Sequence, residues 1–71
     1  MEKQQVESSC IATIAYDSSQ GLLIIDFKSG TRYHYFGVPD YVFEEFKRAD
    51  SPGSFFDLYI KSVAYEFERV S

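Results

Sequence analysis

The feature that most constrains the fold is a series of three short stretches in which apolar side chains alternate with other residues. The stretches span residues 10–16, 22–28 and 31–36, and the residues between them, 17–21 and 28–30, favour turns. Alternation places successive side chains on opposite faces of a strand, here Cys10, Ala12, Ile14 and Tyr16 against Ile11, Thr13 and Ala15. Short turns join antiparallel neighbours, so the pattern predicts an antiparallel three-stranded meander.

The turn at Lys28, Ser29 and Gly30 decides which side chains of the second and third strands share a face. A two-residue turn at Ser29 and Gly30 would set Arg32 and His34 against the apolar face. A three-residue loop with Gly30 in the left-handed conformation is favoured, because it groups the large apolar side chains, whose burial contributes about 25 cal/mol per Å². The predicted pairs are Phe27 with Thr31, Ile25 with Tyr33, and Leu23 with Tyr35.

A first helix is predicted directly after the meander. Pro39 fixes the backbone angle of a first helical turn, and Asp40 lies where the positive end of the helix dipole favours a carboxylate. The residues that recur at helical spacing and should face the sheet are Val42, Phe46 and Ala49, with Tyr41 and Phe43 to either side.

A second helix and a final strand complete the predicted fold. Ser51 is the expected N-cap, Pro52 takes the first helical position, and a buried pattern follows at Phe55, Phe56, Tyr59 and Ile60. Residues 63–70 alternate again, with Tyr65 and Phe67 inward. The order β-β-β-α-α-β predicts an α+β fold, in which two short helices cover one face of the sheet and the C-terminal strand returns to it.

Length and composition limit the alternatives. With 71 residues there is room for one small core, so we predict a single domain over residues 9–71 after a flexible N-terminal lead-in at residues 1–8. Six Tyr and seven Phe supply its buried area. The single cysteine, Cys10, rules out an internal disulfide and a cysteine zinc cluster, which favours a cytoplasmic setting. No membrane span, metal site or cofactor is expected.

An ordered set of residues also resembles a known family. The set comprises Ile14-Ala15-Tyr16-Asp17, Gly30, Tyr33-His34-Tyr35, Phe36-Gly37-Val38-Pro39, and Ala-Asp-Ser-Pro-Gly-Ser-Phe-Phe at residues 49–56. Over residues 8–70 the chain resembles the KTSC domain, which occurs at the C-terminus of some lysyl-tRNA synthetases and as stand-alone small bacterial and phage proteins. The resemblance implies no established activity, although its synthetase attachment suggests an RNA-binding role. Members often carry Asn and Arg where this chain has Asp57 and Lys61.

The paired aromatics Tyr33 and Tyr35 are the first candidate binding site. On an exposed sheet they would form a stacking platform for bases, but in the favoured register their rings fill the core and their hydroxyls reach a polar rim. Arg32, His34 and Phe36 lie on the opposite face and would form an exposed patch if no helix covers them. Such a patch could contact a partner protein, a second copy of the chain, or a nucleotide.

Ser51, Gly53 and Lys61 are the other candidate binding residues. The helix start at residues 51–54 presents free N–H groups that can hold an anion, but the same residues suit an ordinary helix cap, which we favour. Gly53 would then let the helix pack closely on the tyrosine-rich strands. Cys10 and His34 are the only pair that could supply a nucleophile and a base, and Cys10 is interpreted instead as a core residue.

These residues predict a small non-enzymatic interaction module that binds a protein partner or associates with itself. The alternative is an RNA- or nucleotide-binding accessory domain, implied by the resemblance and by Arg32, His34 and the two tyrosines. The protein partner is favoured because 7 basic against 11 acidic residues give a formal charge of -4. Nucleic-acid affinity depends largely on Lys and Arg neutralising phosphates.

Overall fold

A computed structural model describes residues 1–71 and has an antiparallel five-stranded sheet whose strand order follows the chain, β1-β2-β3-β4-β5. The strands are β1 (Glu2–Gln5), β2 (Ile11–Asp17), β3 (Leu22–Phe27), β4 (Arg32–Tyr35) and β5 (Phe67–Arg69). Between β4 and β5 lie α1 (Asp40–Arg48) and α2 (Pro52–Phe56), and α2 continues into a π-helical segment (Asp57–Lys61). The α+β class is confirmed, but the sheet has five strands rather than the four predicted.

The β3–β4 hairpin has the predicted register. Leu23 pairs with Tyr35 and Ile25 pairs with Tyr33. The Phe27 amide donates to the Thr31 carbonyl at 2.8 Å, and the Gly30 amide donates to the Phe27 carbonyl at 2.9 Å. Gly30 has a φ of 96°, a conformation that residues with a Cβ rarely adopt. The three-residue loop therefore sets which side chains of β4 face the helices.

β2 differs from the prediction at its start. Its register against β3 shifts between Ile11 and Thr13, as a β-bulge does. The extra residue brings Ile11 onto the helix-facing side, where it is fully buried in the same core as Ile14. Cys10 precedes the strand and is exposed. The interpretation of Cys10 as a core residue is therefore wrong, because strict alternation cannot anticipate a bulge.

The N-terminal segment predicted to be a flexible lead-in contains an edge strand instead. Glu2–Gln5 pairs with β2, and all four of its residues are exposed. The Glu2 carboxylate also accepts a hydrogen bond from Lys47 Nζ of α1 at 2.7 Å. Sequence alone gave no sign of this strand because its residues are polar on both faces, so no alternation marks it.

The C-terminal strand is shorter than predicted. Of residues 63–70, only Phe67–Arg69 forms a strand, and Phe67 pairs with Tyr35 of β4. Ala64 has a φ of 67°, which is incompatible with an extended strand at that point. Tyr65 is half-buried against the core, while Phe67 is 57% exposed.

α1 covers the helix-facing side of the sheet as predicted, with one difference. Val42 and Phe46 are buried, and so is Phe43, which the helical spacing placed beside the stripe. The Phe43 ring stacks on Tyr16 of β2 at a centroid distance of 5.0 Å. α1 therefore buries a wider arc of its surface than the spacing of Val42 and Phe46 alone indicates.

The Tyr16 hydroxyl links the start of α1 to the sheet by hydrogen bonds. It lies between the Val38 carbonyl and Asp40 Oδ1, the latter at 3.0 Å, and shares its single proton between these two acceptors. Burial, reinforced by the hydrogen bond and charge of Asp40, raises the pKa of Tyr16 to about 12. The tyrosine is therefore neutral in the folded chain at any ordinary pH.

α2 begins where the sequence predicts, with Ser51 as N-cap and Pro52 as the first helical residue. The Ser51 hydroxyl bonds to Ser54 Oγ at 3.1 Å and makes no capping bond to the backbone. Phe56 and Ile60 are buried, whereas Tyr59 is 55% exposed and not buried as predicted. The π-helical turn changes the angular spacing, which moves Tyr59 off the buried face. None of the helices has the length and apolar character needed to cross a lipid bilayer.

Candidate binding cleft

An open cleft of about 970 Å³ separates the β4–β5 end of the sheet from the start of α2. Its third wall is the segment that leads into β2. Five of the eight binding residues predicted from the sequence line it: Tyr33, Tyr35, Ser51, Gly53 and Lys61. They come from three separate parts of the chain, and the hairpin register together with the position of α2 brings them to one place. We call this feature the cleft.

The floor of the cleft is a continuous group of aromatic rings. Each ring meets at least two others, with centroid distances from 5.3 to 6.2 Å. Most of these pairs are edge-to-face, the geometry that the ring quadrupole favours. The five members of the aromatic floor are Phe27, Tyr33, Tyr35, Phe56 and Phe67.

The two tyrosines of the floor have different surroundings. Tyr35 is only 4% exposed, so its ring belongs to the core. Burial, and to a lesser degree the neighbouring Tyr33, raises the pKa of Tyr35. Tyr33 is half-buried and contacts Phe67 at 5.9 Å, on the open side of the cleft. Tyr35 therefore anchors the floor, while Tyr33 and Phe67 present ring surface to a bound molecule.

Small polar side chains form the rim opposite the rings. Ser8 Oγ accepts hydrogen bonds from the backbone amides of Cys10 and Ile11, each at 3.2 Å, which fixes the turn into β2. A Cβ added to Gly53 would lie 3.5 Å from Cys10 Sγ and 3.8 Å from Ser8 Oγ. Gly53 thus packs against the segment before β2. The prediction that it packs against the tyrosine-rich strands is wrong. The rim residues are Ser8, Ser9, Cys10, Ser29, Thr31, Ser51, Pro52, Gly53 and Ser54.

Negatively charged residues outnumber positively charged residues around the cleft. Two cations, Lys61 and Arg69, line it together with three carboxylates, Glu7, Asp50 and Asp57. One of the cations is partly engaged, because Arg69 Nε donates to the Ser71 carbonyl at 3.1 Å. The cleft therefore has a formal charge of one negative unit, in keeping with the acidic chain.

The remaining predicted binding residues, Arg32, His34 and Phe36, do not contribute to the cleft. Arg32 and His34 pair with Asp26 and Ile24 of β3 on the opposite side of the sheet, which no helix covers. Arg32 forms two hydrogen bonds to the Asp26 carboxylate, at 2.6 and 3.1 Å, which lower the pKa of Asp26. The structure thus places Arg32, His34 and Phe36 on the face opposite the two tyrosines, as the sequence predicts, because adjacent strand residues face opposite sides.

We call this uncovered side the outer face. His34 contacts Phe36 edge-on at 6.5 Å, and Phe36 is 37% exposed. Leu22 and Ile24 lie beside them and are half-buried. The structure thus contains the mixed patch that the sequence predicts for an uncovered sheet. His34 lies on the outer face, and Cys10 lines the cleft on the other side, so the two do not form a nucleophile–base pair.

Several cleft residues were not identified from the sequence. The sequence places Phe27 and Phe56 in the core and Phe67 inward on the last strand, and it assigns Arg69 to no site. The alternation of residues 63–70 does indicate that Phe67 faces inward, but it carries no information about which strand it will adjoin. That neighbour is set by α1 and α2, which separate β4 from β5 along the chain.

Comparison with known proteins bears on this arrangement. A profile of the KTSC domain matches residues 7–65. An uncharacterized protein of Stutzerimonas stutzeri is 33% identical over 70 residues, 99% of both chains. A lysine–tRNA ligase of Nostoc punctiforme is 38% identical over 65 residues, which are 92% of this chain but 11% of the ligase. The crystal structure of a KTSC domain protein from Yersinia pestis is 36% identical, with a TM-score of 0.91 over 99% of this chain and 97% of that chain.

The matches agree with one another and with the ordered motif seen in the sequence. The profile includes both tyrosines of the cleft floor, the rim of α2, and Gly30 of the hairpin loop. The relatives show that this small domain occurs alone and also as a minor part of lysine–tRNA ligases. The chain belongs to the KTSC domain family.

Proposed function

We propose that this chain is a non-catalytic interaction module that binds a segment of a partner protein in the cleft. The observation that carries the proposal is the aromatic floor, part of which stays open: Phe67 is 57% exposed, and Tyr33 is half-buried. A small domain gains stability by burying such rings, so rings left at the surface beside a hydroxyl-rich rim are typical of a recognition site.

Charge favours a protein over a nucleic acid as the occupant. The cleft has three carboxylates against Lys61 and Arg69, and the whole chain has a formal charge of -4. Polyphosphate binding draws most of its affinity from clustered Lys and Arg. Backbone and side-chain amides of a peptide need no such cations, and they match the serine and threonine hydroxyls of the rim.

The non-catalytic part of the proposal rests on the placement of the reactive groups. Cys10 is the only thiol and lines the cleft, whereas the only imidazole, that of His34, lies on the outer face. A nucleophilic site needs its base within hydrogen-bonding reach of the nucleophile. The three cleft carboxylates, Glu7, Asp50 and Asp57, are not adjacent in the chain, and no imidazole lines the cleft with them.

Site-specific photocrosslinking tests where the partner binds. A benzophenone amino acid replaces Phe67 in the cleft in one variant and Phe36 on the outer face in the other, since both positions are exposed aromatics. After irradiation in the native cells, we expect a protease-sensitive adduct from position 67 and none from position 36. An absence of adduct at position 67 would contradict the proposal, and an adduct only at position 36 would move the interface to the outer face.

An RNA- or nucleotide-binding accessory role is the alternative, and it is supported by the relatives that are lysine–tRNA ligases. Fluorescence polarisation with labelled single-stranded RNA and tRNA at low salt tests it. If RNA occupied the cleft, Lys61→Ala and Arg69→Ala would weaken binding and flatten its salt dependence, whereas Arg32→Ala on the outer face would not. We expect no binding by either RNA.

Self-association is the second form of the interaction role, and it would use the outer face. Ile24 and Phe36 lie on this face with His34. Light scattering would then report a mass above 8.2 kDa that returns to the monomer value in Phe36→Asp. A chain that stays monomeric at all concentrations would exclude self-association. Binding of a different protein in the cleft would then remain as the proposed interaction.

A further inference from the structure

A second open groove, of about 980 Å³, runs between α1 and the chain that follows α2. It shares no lining residue with the cleft. Four aromatic side chains line it: Tyr41 from α1, then Phe55, Tyr59 and Tyr65. We call this feature the aromatic groove. Neither the sequence patterns nor the proposed cleft accounts for it.

Two rings of the aromatic groove, Phe55 and Tyr59, are held in place by contacts with neighbouring rings. Phe55 stacks on the buried Phe46 at 5.2 Å, and Tyr59 packs on Phe55 at 4.8 Å. Tyr41 is 68% exposed and Tyr59 is 55% exposed, so neither ring contributes much to the core. Tyr65 is half-buried near Tyr41. A ring that packs on the protein with one face and exposes the other to solvent can stack with a planar partner.

Three charged side chains of α1 line the groove. Glu44 and Glu45 line it, with Arg48 as its only cation. Glu44 is engaged with Lys47 at 3.1 Å, whereas Glu45 forms no ion pair. Glu45 lies four positions after Tyr41 and three before Arg48 on α1, and it forms no ion pair with Arg48. The groove therefore combines ring faces with an unpaired carboxylate.

We propose that the aromatic groove binds an arginine side chain presented by a partner protein. A guanidinium is planar and weakly hydrated, so it can stack on a tyrosine while it donates paired hydrogen bonds to a carboxylate. The groove supplies both partners, Tyr41 or Tyr59 for stacking and Glu45 for the ion pair. Glu45 favours a guanidinium over a methylated ammonium, because the guanidinium donates paired hydrogen bonds to a carboxylate. This inference does not depend on what binds the cleft.

Nuclear magnetic resonance titration of the isotope-labelled chain tests the proposal with defined peptides. The probe is the blocked tripeptide Gly-Arg-Gly, and its control replaces arginine with citrulline, which has the same shape without the charge. We expect saturable shifts at Tyr41, Glu45 and Tyr59 with the arginine peptide, an affinity in the millimolar range, and none with citrulline. Equal shifts with both peptides, or arginine shifts confined to the cleft around Tyr33 and Phe67, would overturn the proposal.

Variants give the second arm of the experiment. Glu45→Gln removes one exposed charge and should weaken arginine binding about fivefold, and Tyr59→Leu should weaken it by a similar factor. Glu68→Gln, which removes a charge from the exposed outer strand position opposite His34, is the matched control and should leave binding unchanged. Unchanged binding in Glu45→Gln refutes the proposal even if Tyr59→Leu fails to fold. Crosslinking at position 67 is unaffected by these variants, so the two proposals fail separately.

Discussion

The two faces of β4 have different surroundings, although both belong to one strand of four residues. Tyr33 and Tyr35 face the helices and join the aromatic floor, while Arg32 and His34 alternate with them in sequence and lie on the outer face. On the helix side, aromatic rings serve both as core and as the floor of a cleft, because α2 covers only part of them. On the outer face, polar groups satisfy one another, as Arg32 does with Asp26. The partly covered side thus leaves ring surface open in the cleft, whereas the uncovered side has a polar pair and the exposed Phe36.

The strongest test of this contrast compares adjacent residues of β4. Tyr35→Ala removes a ring that is 4% exposed and should lower the free energy of unfolding by about 3 kcal/mol, because a large cavity remains in the core. His34→Ala, on the outer face, should change it by less than about 0.5 kcal/mol. Urea unfolding measures both. Similar losses for the two variants would mean that the two faces are not energetically distinct.

A smaller effect is expected at Tyr16, which joins the helix side of the sheet to α1. Tyr16→Phe leaves the Val38 carbonyl without its donor and should lower the free energy of unfolding by about 1 to 2 kcal/mol. The folded pKa of about 12 lies above the ordinary tyrosine value of about 10. The stabilisation is therefore complete below about pH 10 and is lost as the pH rises through about 12. The phenylalanine variant should lack this part of the alkaline unfolding profile.

The β3–β4 loop sets which side chains of β4 face each side of the sheet, and Gly30 in this loop gives a third prediction. Gly30→Ala places a Cβ at a φ of 96°, which should cost about 1 kcal/mol by strain alone, since nothing else lies within contact distance. Gly53→Ala is the control, because its added Cβ meets only ordinary contacts at 3.5 Å or more. Thermal unfolding should show a lower midpoint for the first variant. An unchanged midpoint in Gly30→Ala would contradict the bulged loop.

The weakest effect is expected on the outer face, at Asp26. Its hydrogen bonds from Arg32 and Thr13 lower the carboxyl pKa in the folded chain. A lowered pKa contributes stability above the ordinary value of about 3.9, and that contribution is lost as the pH falls through the folded value. Asp26→Asn should therefore destabilise the chain slightly at neutral pH and flatten its acid unfolding profile. Identical acid profiles for the variant and the parent would show that the pair contributes nothing measurable.

Local patterns predicted a large part of the fold. The β3–β4 register followed from one glycine and the cost of burying Arg32 and His34, and α1 began at Asp40 after Pro39 as expected. These predictions succeeded because a turn residue and its flanking alternation lie within a few positions of each other. β1 was missed because its polar residues carry no alternation. The bulge in β2, which reverses the faces of Cys10 and Ile11, was missed because no local pattern marks it either.

The binding features were only partly predictable. Tyr33, Tyr35, Ser51, Gly53 and Lys61 do meet in one cleft, but Phe67 and Arg69 join them only because the helices return β5 to the edge of β4. The aromatic groove was hidden because Tyr59 appeared to belong to a regular buried helix, and the π-helical turn moves it to the surface. Long-range packing and helix irregularity, rather than residue type, account for what the sequence did not reveal.

The order of the strands in the sheet has a consequence for how the chain acquires its structure. Every neighbouring pair among β1 to β4 is also consecutive in the chain, so three of the four strand pairings close short loops. Such low contact order is typical of fast folding, because little chain entropy is lost before contacts form. Only β5 is separated from its neighbouring strand by both helices. We therefore expect the half of the cleft that β4 contributes to form early and the half that Phe67 contributes to form last, so that the cleft is completed by the final step of folding.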